Sequence, residues 1–83
     1  MGPQTTHLRI VMTPDGFYPR ALRWQGSTKR VLSVERCWTN GRQRRFRVRT
    51  LDGFYELGQN LGSGSWQLLR RPGWIERART HLA

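Results

Sequence analysis

The 83-residue sequence predicts one small all-β domain with mainly antiparallel strands. The first observation is that turn signals recur at short intervals, namely PDG at 14–16, QGS at 25–27, NG at 40–41, DG at 52–53 and GSG at 62–64. The second is that the segments between them have the length and alternation of β-strands. We therefore expect a small SH3-like barrel or a bent five- to six-stranded sheet over residues 6–71, followed by a short C-terminal helix over 73–82.

The first two segments alternate clearly between apolar and polar residues. THLRIVM places Leu8, Ile10 and Met12 on one face, and RALRWQ places Leu22 and Trp24 together. Because successive side chains of a strand point to opposite faces, these five residues are predicted to face the core.

The later segments are less regular. KRVLSVERCW is rich in β-forming residues, but its apolar residues occupy both parities, which predicts a bulge or cover on both faces. In SWQLLRR, Trp66 and Leu68 are predicted to face inward, which leaves Leu69 uncovered. Trp38, like Trp24 and Trp66, shares parity with apolar neighbours and is predicted to lie in the core.

The C-terminal segment WIERARTHLA follows Pro72-Gly73 and begins at Trp74. Its apolar residues Ile75, Ala78 and Leu82 recur at helical spacing, which predicts a short amphipathic helix. Such a helix would need to dock on the sheet to be stable, and Leu69 is a candidate contact.

The segment RRFRVRTLDGFYEL contains the strongest hairpin signal, Asp52-Gly53. If these two residues form the loop, Val48 pairs with Leu57, Arg47 with Gly58, and Arg49 with Glu56. The inner face then collects Phe46, Val48, Thr50, Tyr55 and Leu57. The outer face collects Arg45, Arg47, Arg49, Leu51, Phe54 and Glu56.

The charge of the chain points to an anionic partner. Fifteen basic residues against five acidic ones give a net charge of +10, and Lys29 is the only basic residue that is not arginine. A guanidinium group binds phosphate in a fork and stacks on bases, so nucleic acid is the leading partner class.

The predicted binding surface combines basic residues with an exposed aromatic ring, a pattern suited to phosphates and stacked bases. It consists of Arg42, Arg44, Arg45, Arg47, Arg49, Phe54, Arg70 and Arg71. Two alternatives remain. The arginines could be a solvated strand face that discourages aggregation, or the domain could dock on an acidic protein through Trp74 and a free sheet edge.

Other chemistry has little support in the sequence. Cys37 is the only cysteine, which excludes an internal disulfide and favours a buried thiol. Asp15 and Asp52 precede glycines in turns, and His7 and His81 lie near opposite ends. We expect no enzyme activity, no cofactor and no bound metal. No apolar run could span a bilayer and the N-terminus lacks a secretory signal, so we expect a cytoplasmic protein without a membrane partner.

Three stretches resemble a short bacterial family of unknown function, LRWQGSTKRVLSVERCW, FRVRTLDGFYEL and NLGSGSWQLLRR. They follow the family pattern W-x-G … V-x-x-V … W … [FW]-R-V … G-x-Y-[DE]-L … S-G-x-W-x-L-x-R over about residues 19–71. Members occur alone or linked to Y-family polymerase-like mutagenesis proteins. The resemblance implies a shared fold and an accessory role in DNA repair or damage tolerance beside a repair or polymerase complex, a setting that favours DNA over RNA as the nucleic acid. The arginine-rich strand departs from the family pattern.

Overall fold

A computed structural model describes residues 8–73 of the chain, and all regular structure in that range is β-strand. The strands are β1 (Arg9–Met12), β2 (Pro19–Trp24), β3 (Ser27–Arg30), β4 (Ser33–Asn40), β5 (Gln43–Thr50), β6 (Gly53–Asn60) and β7 (Trp66–Arg70). They form two antiparallel sheets, in the orders β1-β2-β3 and β4-β5-β6-β7. The predicted all-β antiparallel class is confirmed, although the sheets are not closed into a barrel. The predicted helix and the residues His7, Trp74 and His81 lie outside the described range.

The three-stranded sheet follows the predicted alternation. Ile10 pairs with Leu22 across β1 and β2, and both side chains pack in the core, with Leu22 fully buried. Arg9 pairs with Arg23, and both are exposed on the opposite face. Alternation therefore gives this sheet one apolar and one basic face.

The chain passes from one sheet to the other at Val31 and Leu32. The Val31 N–H donates to the Arg20 carbonyl at 2.9 Å, whereas the Leu32 N–H donates to the Arg49 carbonyl at 2.7 Å. These two neighbouring residues thus hydrogen-bond to different sheets, and the segment predicted as one strand is divided. The predicted bulge is present within β4, between Val34 and Arg36.

The core lies between the facing sides of the two sheets. Its buried side chains are Leu22, Phe46, Val48, Tyr55, Leu57 and Leu68. Trp24 and Trp66 are half-buried against them as predicted, and the rings of Phe46 and Trp66 lie 5.7 Å apart. Two predictions are wrong. Trp38 is half-buried but outside this cluster, and Cys37 is exposed on β4, which is an edge strand.

The β5–β6 hairpin has the predicted faces but a different register. Val48 pairs with Tyr55, not Leu57, and the two-residue loop is Leu51-Asp52. Gly53 has a φ of 124° and follows the loop, in agreement with the preference of type I turns for glycine at their fourth position. The Asp52 N–H donates to Thr50 Oγ1 at 3.1 Å, and the Thr50 hydroxyl donates to the Gly53 carbonyl at 3.0 Å. The register moves by two residues, so every side chain keeps its face.

The β2–β3 turn offers a stability test. Gln25 and Gly26 join Trp24 to Ser27, with φ values of 53° and 75°. Positive φ at both central residues defines a type I′ turn, which prefers Asn-Gly. We expect Gln25→Asn to stabilise the fold by about 0.5–1 kcal/mol, since a left-handed conformation costs most L-residues about 1–2 kcal/mol. Urea unfolding would measure the change. Gln25→Ala is the control and should give no gain, and an unchanged midpoint for the asparagine variant would contradict the argument.

Tyr55 should make stability sensitive to alkaline pH. Burial raises the pKa of its phenol above the usual 10.0, and the nearby Asp52 carboxylate adds to the effect. A raised pKa in the folded state means that stability is complete below pH 10 and declines as the pH rises further. We expect Tyr55→Phe to lose less stability than the wild type between pH 8 and pH 11, as measured by denaturant midpoints. Equal losses would exclude Tyr55 as the cause.

Candidate nucleic-acid interface

The outer face of the four-stranded sheet, turned away from the core, is dominated by arginine. Because Phe46 and Val48 are buried, their neighbours on β5 point outward. We call this surface the arginine face and define it by Arg36 and Trp38 on β4, Arg45, Arg47 and Arg49 on β5, Phe54 on β6 and Arg70 on β7. Of the predicted site residues, Arg45, Arg47, Arg49, Phe54 and Arg70 come together here.

Arg36 and Trp38 were not predicted as site residues. The bulge after Val34 reverses the alternation of β4, so that Arg36 pairs with Arg47 and Trp38 pairs with Arg45 on the outer side. The Asn40-Gly41 signal carried this information. With Asn40 and Gly41 as the loop, counting back places Trp38 opposite Gln43. The observed loop is Gly41-Arg42 and Trp38 lies opposite Arg45, but both registers put Trp38 on the face of Arg45.

Each aromatic ring of the arginine face is covered by a guanidinium group. The Arg36 Cζ lies 4.5 Å from the Trp38 ring centroid, and the Arg47 Cζ lies 4.6 Å from that of Phe54. Arg36 and Arg47 are direct cross-strand partners, and like charges in that position repel. Their side chains lean in opposite directions along the strands, each onto its own ring. Each contact is worth about 0.5–1 kcal/mol at an exposed site, and it keeps ring and charge together.

Arg45 is held more firmly than its neighbours. It is half-buried, and its Nε donates to Gln43 Oε1 at 3.0 Å, while Gln43 Nε2 donates to Gln67 Oε1 at 3.1 Å. Gly58 lies opposite Arg45, not Arg47 as predicted. A Cβ at Gly58 would come within 3.0 Å of Gln43 Nε2 and 3.1 Å of Leu69 Cδ1. The space over this glycine is therefore filled by Gln43, which positions Arg45, and by the side chain of Leu69.

The acids near the arginine face neutralise only part of its charge. Glu56 lies in register with Arg47 on one side and Arg70 on the other, where the prediction had placed it opposite Arg49. Arg49 instead approaches Glu35, with 4.0 Å between Nε and the carboxylate, and its Nε donates to Ser33 Oγ at 3.4 Å. Both side chains of that ion pair are largely exposed, so the attraction is weak.

Three predicted residues lie apart from this face. Arg42 occupies the turn between β4 and β5. Arg44 has the parity of Phe46 and lies half-buried on the core side of the sheet, opposite Thr39. Arg71 lies against the three-stranded sheet, with its Cζ 5.1 Å from the ring centroid of Trp24. The arginines close in sequence are thus distributed over several surfaces.

The remaining described acids are engaged in turns. Hydrogen bonds from the Thr13 hydroxyl and the Phe17 N–H lower the pKa of the Asp15 carboxyl. Asp52 forms an ion pair with Lys29 at 2.5 Å, and this contact raises the pKa of Lys29. Between residues 8 and 73, no three His, Cys, Asp or Glu side chains are grouped so that they could hold a metal ion. The same range has no helix with the length and apolar character needed to cross a membrane.

Comparison with known proteins adds no relative. No protein-family model, no curated protein and no solved structure matches the chain. The resemblance to the bacterial family of unknown function therefore stays a prediction.

Proposed function

We propose that this domain is a non-catalytic nucleic-acid-binding module with low sequence preference. The arginine face is its binding surface, with the arginines on phosphates and the rings of Trp38 and Phe54 on bases. The expected setting is cytoplasmic. The family that the chain resembles suggests DNA as the nucleic acid and an accessory part in repair or damage tolerance.

The observation that supports this most is the pairing of each ring with an arginine on one sheet face. Stacking on an aromatic ring is available to every base, and arginines on a flat strand reach phosphates more readily than base edges. Phe54 is 41% exposed, so a base can reach it. Arg47 can remain beside that ring or turn to a phosphate. A surface built in this way favours nucleic acid with unpaired bases, and its sequence preference should be low.

A protein-interaction module with an acidic partner is the second candidate function. An open groove of about 490 Å³ runs beside the edge strand β4 and is lined in part by Tyr18, Leu32 and Cys37. Tyr18 and Leu32 are exposed apolar residues, and an edge strand can pair with an added strand. This groove favours a peptide, whereas the arginine face favours nucleic acid.

A fluorescence titration tests the proposed function. Labelled single-stranded and duplex oligonucleotides of several sequences are titrated with the protein at 50 and 200 mM salt. We expect similar affinities among sequences and a steep fall with salt, with a log–log slope of about −0.7 per phosphate contact on single strands and about −0.9 on duplex.

The ring variants sharpen this test. Trp38→Ala with Phe54→Ala should weaken single-strand binding by about 1–3 kcal/mol per stacked base, with a smaller effect on duplex, whose bases are already stacked. Leu51→Ala is the control, since Leu51 is 91% exposed in the hairpin loop and carries no aromatic ring. No binding by the wild type at 50 mM salt would favour the acidic-partner module instead.

A further inference from the structure

A second group of arginines lies on the outer face of the three-stranded sheet. Arg9 and Arg23 are direct partners between β1 and β2, and Arg30 on β3 pairs with Ala21 in the neighbouring row. All three arginines are exposed. We call Arg9, Arg23 and Arg30 the second basic face.

This face keeps its charge without compensation from the described acids. Asp15 is hydrogen-bonded within its own turn, and Asp52 is paired with Lys29. Glu35 and Glu56 belong to the four-stranded sheet. The direct pairing of Arg9 with Arg23 places like charges side by side, which destabilises a strand pair. An anionic ligand would relieve this repulsion.

The two basic faces point away from each other. Leu22 lies on the inner side of the three-stranded sheet. It shares one core with Phe46, Val48 and Leu57, which lie on the inner side of the four-stranded sheet. Sheets packed in this way lie about 10 Å apart, with their outer faces on opposite sides. One segment of nucleic acid lying flat on the arginine face therefore leaves the second basic face open.

We propose that the second basic face binds a second segment of nucleic acid, so that a single domain joins two segments. The inference rests on the proposed function of the arginine face. The ligand of the second face is the phosphate backbone, since no aromatic side chain lies in register with Arg9, Arg23 or Arg30. The second face is consequently the weaker of the two, since it offers three arginines and no ring for stacking.

Co-capture of two oligonucleotides tests the bridging. A biotinylated single strand is fixed on beads, and a fluorescent strand of unrelated, non-complementary sequence is added with increasing amounts of the full chain at 50 mM salt. The retained fluorescence should rise and then fall, because excess protein occupies each strand separately. Arg9→Ser with Arg23→Ser should reduce this capture at least tenfold while binding of one strand alone changes less than threefold.

Arg20→Ser is the matched control. Arg20 is exposed and lies three residues from Arg23 on the same strand, but it belongs to neither basic face. This variant should capture the second strand as the wild type does. If the wild type binds no strand at all, the proposed function fails together with the bridging. If it binds one strand but captures no second, only the bridging is overturned. Undiminished capture by the Arg9 and Arg23 variant would also overturn it, since bridging would then come from self-association of the domain.

Discussion

Arg45→Glu combined with Arg47→Glu is expected to weaken nucleic-acid binding about 100-fold at 50 mM salt, for every sequence alike. The two arginines are adjacent on the outer side of β5, and Gln43 positions Arg45 while Arg47 lies over Phe54. A hydrogen bond to a charged group is worth about 1.5–3 kcal/mol, so the loss of two contacts amounts to about 3 kcal/mol. The log–log salt slope should also become shallower by about 1.4 on single strands, because two phosphate contacts disappear.

Two single variants distinguish the loss of a direct phosphate contact from a change in the net charge of the protein. Arg47→Glu and Arg20→Glu change the net charge equally, but Arg20 lies outside both basic faces. If binding depends on the arginine face, the first variant should lose at least tenfold more affinity than the second in the same fluorescence titration. Equal losses would mean that only net charge matters, and unchanged affinity in the double variant would remove this face from the site.

Phe46→Ala is expected to destabilise the fold by about 3–5 kcal/mol. Phe46 is the largest of the fully buried side chains, packs against Trp66 and belongs to the central strands of its sheet. Domains of this size have little stability in reserve, so a substantial unfolded population should follow. Urea unfolding followed by tryptophan fluorescence would measure the change.

Phe54→Ala is the matched control for Phe46→Ala. The residue types and the substitution are the same, and the two residues lie on neighbouring strands, but Phe54 is on the outer face and 41% exposed. Its replacement removes the contact with Arg47 and should cost about 0.5–1 kcal/mol. Similar losses in the two variants would contradict the division into a core face and an arginine face.

The faces of the strands could be predicted from sequence, but their register could not. Alternation alone places Phe46 and Val48 inward, and an error of two residues in pairing leaves that result intact. The pair Asp52-Gly53 fits both the centre of a type I′ turn and the last two positions of a type I turn. The observed turn uses the second arrangement, with Thr50 hydrogen-bonded across it.

The candidate site can be predicted directly on β5, whereas on β4 its prediction requires counting back from the Asn40-Gly41 turn. Arg45, Arg47 and Arg49 alternate with buried residues in an unbroken strand, so their direction follows from spacing. On β4 the bulge changes the parity after Val34, and apolar residues on both parities do not reveal where the change occurs. Arg44 and Arg71 lie apart from the arginine face, because closeness in sequence does not ensure a shared surface.

The crossing at Val31 and Leu32 has a consequence for the order of folding. Within residues 8–73 every strand pairs only with its neighbour in sequence, so strand pairing in this range is local and no strand there must wait for a distant one. Hairpins form within about 1–10 μs, and low contact order favours rapid folding. The two sheets can therefore assemble as separate meanders, and the step that remains is their docking about this two-residue connection. We therefore expect folding in two stages, formation of the two sheets and then their docking, and the docking brings Leu22 into one core with Phe46.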